Sequence, residues 1–281
     1  MADALLDVDR LDVTYQIHDA AGRTVRRLKA LADISLSLSR GEAIGVVGES
    51  GSGKSTLARA IVGLVSPSSG HIRIDGRDLP HRRGAAARHG IQMIFQDHTS
   101  TLNPFQTVGR ILDEVLALWR PQAGRDERRT QALSLLDKVG LGADALERYP
   151  HAFSGGQRQR ISIARALATA PRLLICDEPT SALDVSIQAQ ILDLFAALKA
   201  EGYALLFISH NLAVVNRIAE RIIVMQGGRI VEQGATSATI AAPTHPYTRQ
   251  LIASAPRLSD RGALLRSVAI LPDHPKKTGA T

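Results

Sequence analysis

Gly48-Glu49-Ser50-Gly51-Ser52-Gly53-Lys54-Ser55 has the spacing G-x-x-x-x-G-K-[ST]. That spacing suits a polyphosphate. Glycines let backbone N–H groups turn inward around phosphate oxygens, and a helix that starts there adds the positive end of its dipole. Gly48, Ser50, Gly51, Ser52, Gly53, Lys54, Ser55 and, just beyond the motif, Thr56 are therefore the expected phosphate cradle. Lys54 is placed to reach the β and γ phosphates, and Ser55 to put its hydroxyl on Mg²⁺. A second run, Leu173-Leu174-Ile175-Cys176-Asp177-Glu178, is apolar and ends in two carboxylates. Asp177 suits Mg²⁺, directly or through water. Glu178 suits a group that polarises an attacking water. Alone, acids followed by Pro179 also read as a helix-capping turn. Beside the phosphate loop they read as the second half of a hydrolytic site. Cys176, inside the apolar run, reads as core packing.

Both runs need a rigid frame. The phosphate loop follows the apolar strand ending at Gly48 and precedes the helix STLARAIVGL. Leu5–Ile17, ADISLSLS and HIRIDG alternate apolar and polar residues, as half-exposed strands do. GIQMIFQ, RLLICDEP and YALLFIS are short apolar strands. VSIQAQILDLFAALKAEG and NLAVVNRIAE are helices, and RIIVMQGGRIVEQG is a hairpin around Gly227-Gly228. Strands alternating with helices imply an α/β fold with a mainly parallel sheet covered on both faces. An open sheet of this kind binds ligands at the strands' C-terminal edge. From Asp97 to about Pro150 strand patterns vanish, and TVGRILDEVLALW and ERRTQALSLLDKVG have helical spacing. They predict an inserted helical subdomain that ends with the helix QRQRISIARALATA. The expected division is 1–96 with 171–240 as the ATP-binding core carrying N-terminal antiparallel strands, 97–170 as the helical subdomain, and 241–281 as a C-terminal extension with a frayed end.

Between the two runs lies Ser154-Gly155-Gly156-Gln157, before a helix. Ser-Gly-Gly in that position forms a second anion-binding nest. The bland reading is a loop capped by Ser154. The tetrapeptide resembles the signature motif of the ABC ATPases. Phe153 stands where that family usually has leucine. The resemblance covers nearly the whole chain, and it implies a P-loop ATPase in which the signature closes over ATP held by a second subunit. It also implies that Tyr15 stacks on adenine and that Gln96 senses Mg²⁺ and water. Ser181-Ala182-Leu183-Asp184 is then the loop linking the two sites of a dimer. His210 is the switch residue that contacts the γ-phosphate and, with Glu178, Lys54 and Gln96, completes the catalytic set. Asn211 stands where aspartate is common. Thr101-Leu102-Asn103-Pro104 and Thr244-His245-Pro246-Tyr247-Thr248 are similar to the importer subunits for oligopeptides, dipeptides and nickel. Many members of that branch carry a cysteine cluster for iron–sulfur binding. With Cys176 as its one cysteine, this chain is expected to have no cluster.

The resemblance implies ATP and Mg²⁺ as cofactors. It implies two transmembrane permease subunits, a second ATPase subunit and an extracytoplasmic substrate-binding protein as partners. The expected location is the cytoplasmic face of the inner membrane, held peripherally. Asp97–Trp119 is the expected groove for a permease helix. The net charge of +7 admits nucleic acid, an anionic surface or phosphorylated ligands. Aromatic residues make up only 4%, which argues against a stacking platform for single strands. The alternative reading, a soluble ABC ATPase acting on nucleic acid or ribosomes, usually needs a long coiled coil or two ATPase units, and neither is seen. No nucleic-acid partner is therefore expected. A GTPase would need an Asn-Lys-x-Asp segment, and the chain has no Asn-Lys pair. A small-molecule kinase would lack the Ser-Gly-Gly-Gln run. The acidic start MADALLDVDR lacks the apolar core of a signal peptide. No stretch approaches the ~18 apolar residues of a membrane-spanning helix.

Overall fold

The computed structural model describes residues 4–18, 24–80, 90–96, 101–181 and 183–254. Asp97, Ala182 and the expected frayed end, beyond about Pro256, lie outside the described residues.

Two sheets form the frame. The first is antiparallel, in the order β2-β1-β4-β5. Its strands are β1 (Ala4–His18), β2 (Thr24–Ser39), β4 (Ser69–Ile74) and β5 (Arg77–Asp78). The second has the order β10-β9-β3-β8-β7-β6. It comprises β3 (Ala43–Val47), β6 (Ile91–Ile94), β7 (Leu173–Asp177), β8 (Ala204–Ile208), β9 (Arg221–Gln226) and β10 (Arg229–Ala235). Strands β6, β7, β8, β3 and β9 run parallel, and β10 pairs antiparallel with β9. The expected fold class is the one observed.

The parallel strands read as unbroken apolar runs because both faces of their sheet are buried. Side chains of a strand alternate between faces. Leu173 and Ile175 of β7 join the core beneath helix α1 (Lys54–Val62) and the antiparallel sheet. Leu174 and Cys176 join the opposite core, under α4 (Gly155–Leu167), α5 (Val185–Ala200) and α6 (Leu212–Ile218). By the same period Asp177 faces the side of α1. On the other face Phe195 of α5 meets Phe207 of β8 edge to face, ring centres 5.4 Å apart.

Helices α2 (Val108–Trp119) and α3 (Arg125–Lys138) pack on each other and on α4. Val108, Ile111, Leu112 and Leu116 form the buried stripe of α2, at the helical spacing seen in the sequence. Two findings lie beyond the pattern. Strand β2 begins at Thr24, earlier than its apolar alternation, and Val25–Lys29 are exposed while paired to β1. With neither face buried there, no hydrophobic period marks the strand. Helices α7 (Thr236–Ala241) and α8 (Pro246–Ser254) are short and weakly patterned, and the sequence did not reveal them.

Candidate active site

The loop between β3 and α1 crosses the C-terminal edge of the parallel sheet. Gly53 caps α1 at φ +103, a left-handed conformation that glycine adopts without a Cβ penalty. The turn between β9 and β10 abuts this loop from one side. Gly228 N–H donates to Ser52 O at 3.0 Å, and Ala32 N–H donates to Gly228 O at 2.8 Å. A Cβ on Gly228 would lie 2.5 Å from Ala30 O, so only glycine permits this approach.

A cleft of about 710 Å³ opens above the loop. It is lined by Ser50, Gly51, Gly53, Lys54, Ser55 and Thr56 from the cradle, and by Tyr15, Gln96, Glu178 and His210 from elsewhere. Leu28, Lys29, Ala30, Gly227 and Gly228 complete the wall. The sequence reading did not single these five out for the site. Only Gly227-Gly228 gave a signal, as a turn, and nothing local says where that turn packs. Gly48 and Ser52 lie in the loop but do not line the cleft.

Lys54 is buried, and its Nζ donates to the carbonyls of Gly48 and Glu49 at 2.7 and 2.8 Å. Burial lowers its pKa, while the charges of Glu178 and Asp177 act to raise it. Asp177 is also buried and sits behind Ser55, whose Oγ donates to Asp177 Oδ1 at 3.1 Å. Burial raises the Asp177 pKa, and the Ser55 hydrogen bond and the Arg59 charge oppose that rise. Glu178 turns the other way. Its backbone has φ +48, and its Oε2 lies 3.2 Å from His210 Nδ1. Of the two neighbouring acids, Glu178 lines the cleft, and Asp177 lies behind Ser55 without lining it.

Ser154, Gly155, Gly156 and Gln157 do not line this cleft. Ser154 Oγ accepts from Gln157 N–H at 3.3 Å, and Gln157 Oε1 accepts from Ser154 N–H at 3.0 Å. This reciprocal pair is a capping box, so the bland cap and an exposed helix N-terminus coexist here. Gly156 is buried, and a Cβ on it would collide with Ile187 of α5. Its glycine thus has a packing cause that the sequence reading did not supply. Ser181 N–H and Oγ both donate to Glu178 O, at 3.3 and 3.1 Å. Leu183 and Asp184 follow, and Asp184 occupies the N-cap position of α5. Ala182 lies outside the described residues. Cys176 is fully buried, and that burial pushes its thiol pKa well up.

Serine and aspartate oxygens are hard donors that suit Mg²⁺. Among the described residues no group of three or more His, Cys, Asp or Glu side chains could hold a metal. A Mg²⁺ at Ser55 and Asp177 would therefore take its remaining ligands from substrate phosphates and water, the usual Mg²⁺ arrangement. The residues fit the ion.

Comparison with known proteins agrees with this geometry. The ABC transporter family matches residues 31–181. The oligopeptide transport ATP-binding protein OppF of Escherichia coli is 47% identical over 259 residues, covering 90% of this chain and 78% of that one. The dipeptide transport ATP-binding protein DppF of the same organism is 44% identical over 259 residues, covering 91% and 77%. In structure the chain is similar to the ATP-binding cassette MJ0796, solved as a dimer in a post-hydrolysis state with ADP and Pi. That similarity has a TM-score of 0.72 and 28% identity, over 82% of this chain and 98% of that one. No described helix is long and apolar enough to cross a membrane. By its motifs, its fold and its relatives, this chain belongs to the ABC transporter family, as an ATP-hydrolysing, nucleotide-binding subunit.

Proposed function

We propose that this chain powers a peptide importer by binding and hydrolysing ATP between two ATPase subunits. The observation that carries the proposal is the cleft joining Lys54, Ser55, Gln96, Glu178 and His210 above the phosphate loop. The peptide names of the relatives support the cargo class. Tyr15, paired with Leu28 in the cleft wall, is the proposed adenine platform. The loop N–H groups and Lys54 hold the β and γ phosphates. Ser55, Asp177 and Gln96 would hold Mg²⁺, which would supply neutralisation of the phosphate charge. Glu178 accepts a proton from the attacking water as its oxygen bonds to the γ-phosphorus. The bond to the bridging oxygen breaks in line, and ADP leaves with that electron pair. His210 orients Glu178 and the γ-phosphate. A partner's Ser154–Gln157 covers the γ-phosphate and stabilises its charge.

The proposed division keeps 1–96 with 171–240 as the catalytic core, 97–170 as the signature subdomain and 241–281 as an extension. The groove between α2 and α3, lined by Thr107, Arg110, Asp113 and Arg128, is the proposed seat for a permease helix. Two transmembrane subunits and an extracytoplasmic binding protein complete the proposed machine. Its ATPase sits peripherally on the cytoplasmic face of the membrane. Lys54→Ala tests the hydrolytic reading. ATPase activity of the assembled transporter should fall to near background. Retention of half or more contradicts it.

A further inference from the structure

Tyr247 lies outside the cleft, on α8, yet it touches the phosphate loop. The residue is 5% exposed. Its hydroxyl accepts a hydrogen bond from the Glu49 backbone N–H at 2.8 Å. On the other side, the carbonyl of Glu49 accepts from Lys54 Nζ. Residue 49 is thus gripped from two directions, by Tyr247 and by the lysine of the cradle.

Helix α8 has nine residues, too few to hold itself in place. Its anchor is Glu232 on β10. That carboxylate accepts from Thr244 N–H at 2.8 Å, from Thr244 Oγ1 at 2.9 Å and from His245 N–H at 3.0 Å. His245 Nδ1 then accepts from Tyr247 N–H at 3.2 Å, which closes the first turn. Pro246 opens the helix, a position where its missing N–H costs nothing. The β9–β10 hairpin therefore grips the phosphate loop twice. Gly228 does so directly, at Ser52 O. Glu232 does so through the Thr244–Tyr247 turn.

We infer that Tyr247 is a positioning residue for ATP binding: through the Glu232-anchored helix α8 it holds the Glu49 peptide, and so couples docking of the C-terminal segment to nucleotide affinity. The inference rests on the nucleotide reading above. The physical reason is entropy. A loop with glycine at 48, 51 and 53 has many backbone conformations to lose. A hydrogen bond from outside the loop removes some of them before the ligand arrives. Coupling of this kind is reciprocal. A partner that displaces α8 weakens ATP binding, and bound ATP strengthens the docking of α8.

The test is a titration of the full chain with a non-hydrolysable MgATP analogue. Tyr247→Phe keeps the ring and deletes only the hydroxyl. Its Kd should rise about 3- to 10-fold, the worth of one hydrogen bond. Glu232→Gln should raise Kd by a similar factor. The double variant should be no weaker than the worse single one, because both act through one linkage. In the assembled transporter KM for ATP should rise while kcat stays, since Glu178 and His210 are untouched. An unchanged Kd in Tyr247→Phe beside a binding wild type overturns the positioning role alone. Multiplying penalties in the double variant also overturn it. A wild-type chain that binds no nucleotide overturns the nucleotide reading, and this inference with it.

Discussion

Glu178 has φ +48, a backbone that costs a non-glycine residue about 1–3 kcal/mol. Three hydrogen bonds hold it there. Its N–H donates to Ile208 O at 3.0 Å, and its carbonyl accepts from Ser181 twice. The turn it makes separates Asp177, aimed at Ser55, from Glu178, aimed at His210. Outside the cleft lining, Glu232 has a pKa lowered from 4.5 to about 2. Burial opposes that shift, and the hydrogen bonds from Thr244 and His245 outweigh it. A carboxyl whose folded pKa is depressed stabilises the fold above its unfolded pKa, and loses that contribution as pH falls through the folded value. Wild type should therefore exceed Glu232→Gln in Tm at neutral pH, and the gap should narrow as pH drops from about 4.5 towards 2. A gap that widens with acid contradicts the clamp. Asp177 and Glu178 were legible in the sequence because an apolar run ends on them. Gln96 and His210 could be singled out only by resemblance, since an isolated glutamine or histidine has no local signature. The Glu232 clamp and the Tyr247 contact were not legible. The latter joins residues 198 positions apart, and no periodicity encodes such a pair.

The elements were legible where burial imposes a period. Strands β7 and β8 are buried on both faces and read as solid apolar runs, and α2 shows its stripe. The extended start of β2 and the short helices α7 and α8 carry no such period, so their order depends on pairing and clamping. The contact between α4 and α5 shows the same limit. Sequence suggested that both signature glycines serve an anion nest, but Gly156 is buried against Ile187 of α5. Gly156→Ala should cost about 1–3 kcal/mol by overpacking. Ile187→Ala in the same chain should recover most of that loss, because it removes the colliding methyl. Urea denaturation of the two single variants and the double one checks this. Equal losses for Gly156→Ala with and without Ile187→Ala would contradict the contact.

At the scale of the whole molecule, the signature helix and the phosphate loop do not share a cleft within one chain. The proposed active site is completed by a second chain, and ATP acts as the adhesive between them. Its energy is the difference in affinity between the closed pair and the open subunits. Glu178→Gln isolates that step. The cradle, Ser55 and Asp177 remain, so binding persists, while an amide cannot take the proton from water. The decisive measurement is size-exclusion chromatography of this variant, alone and mixed with a companion ATPase chain carrying the same change. With MgATP it should elute at twice the subunit mass, and without nucleotide as a monomer. Ser154→Arg in both partners should abolish the dimer. If MgATP never changes the elution, with or without the companion, the shared-site account is wrong and a self-contained ATPase replaces it.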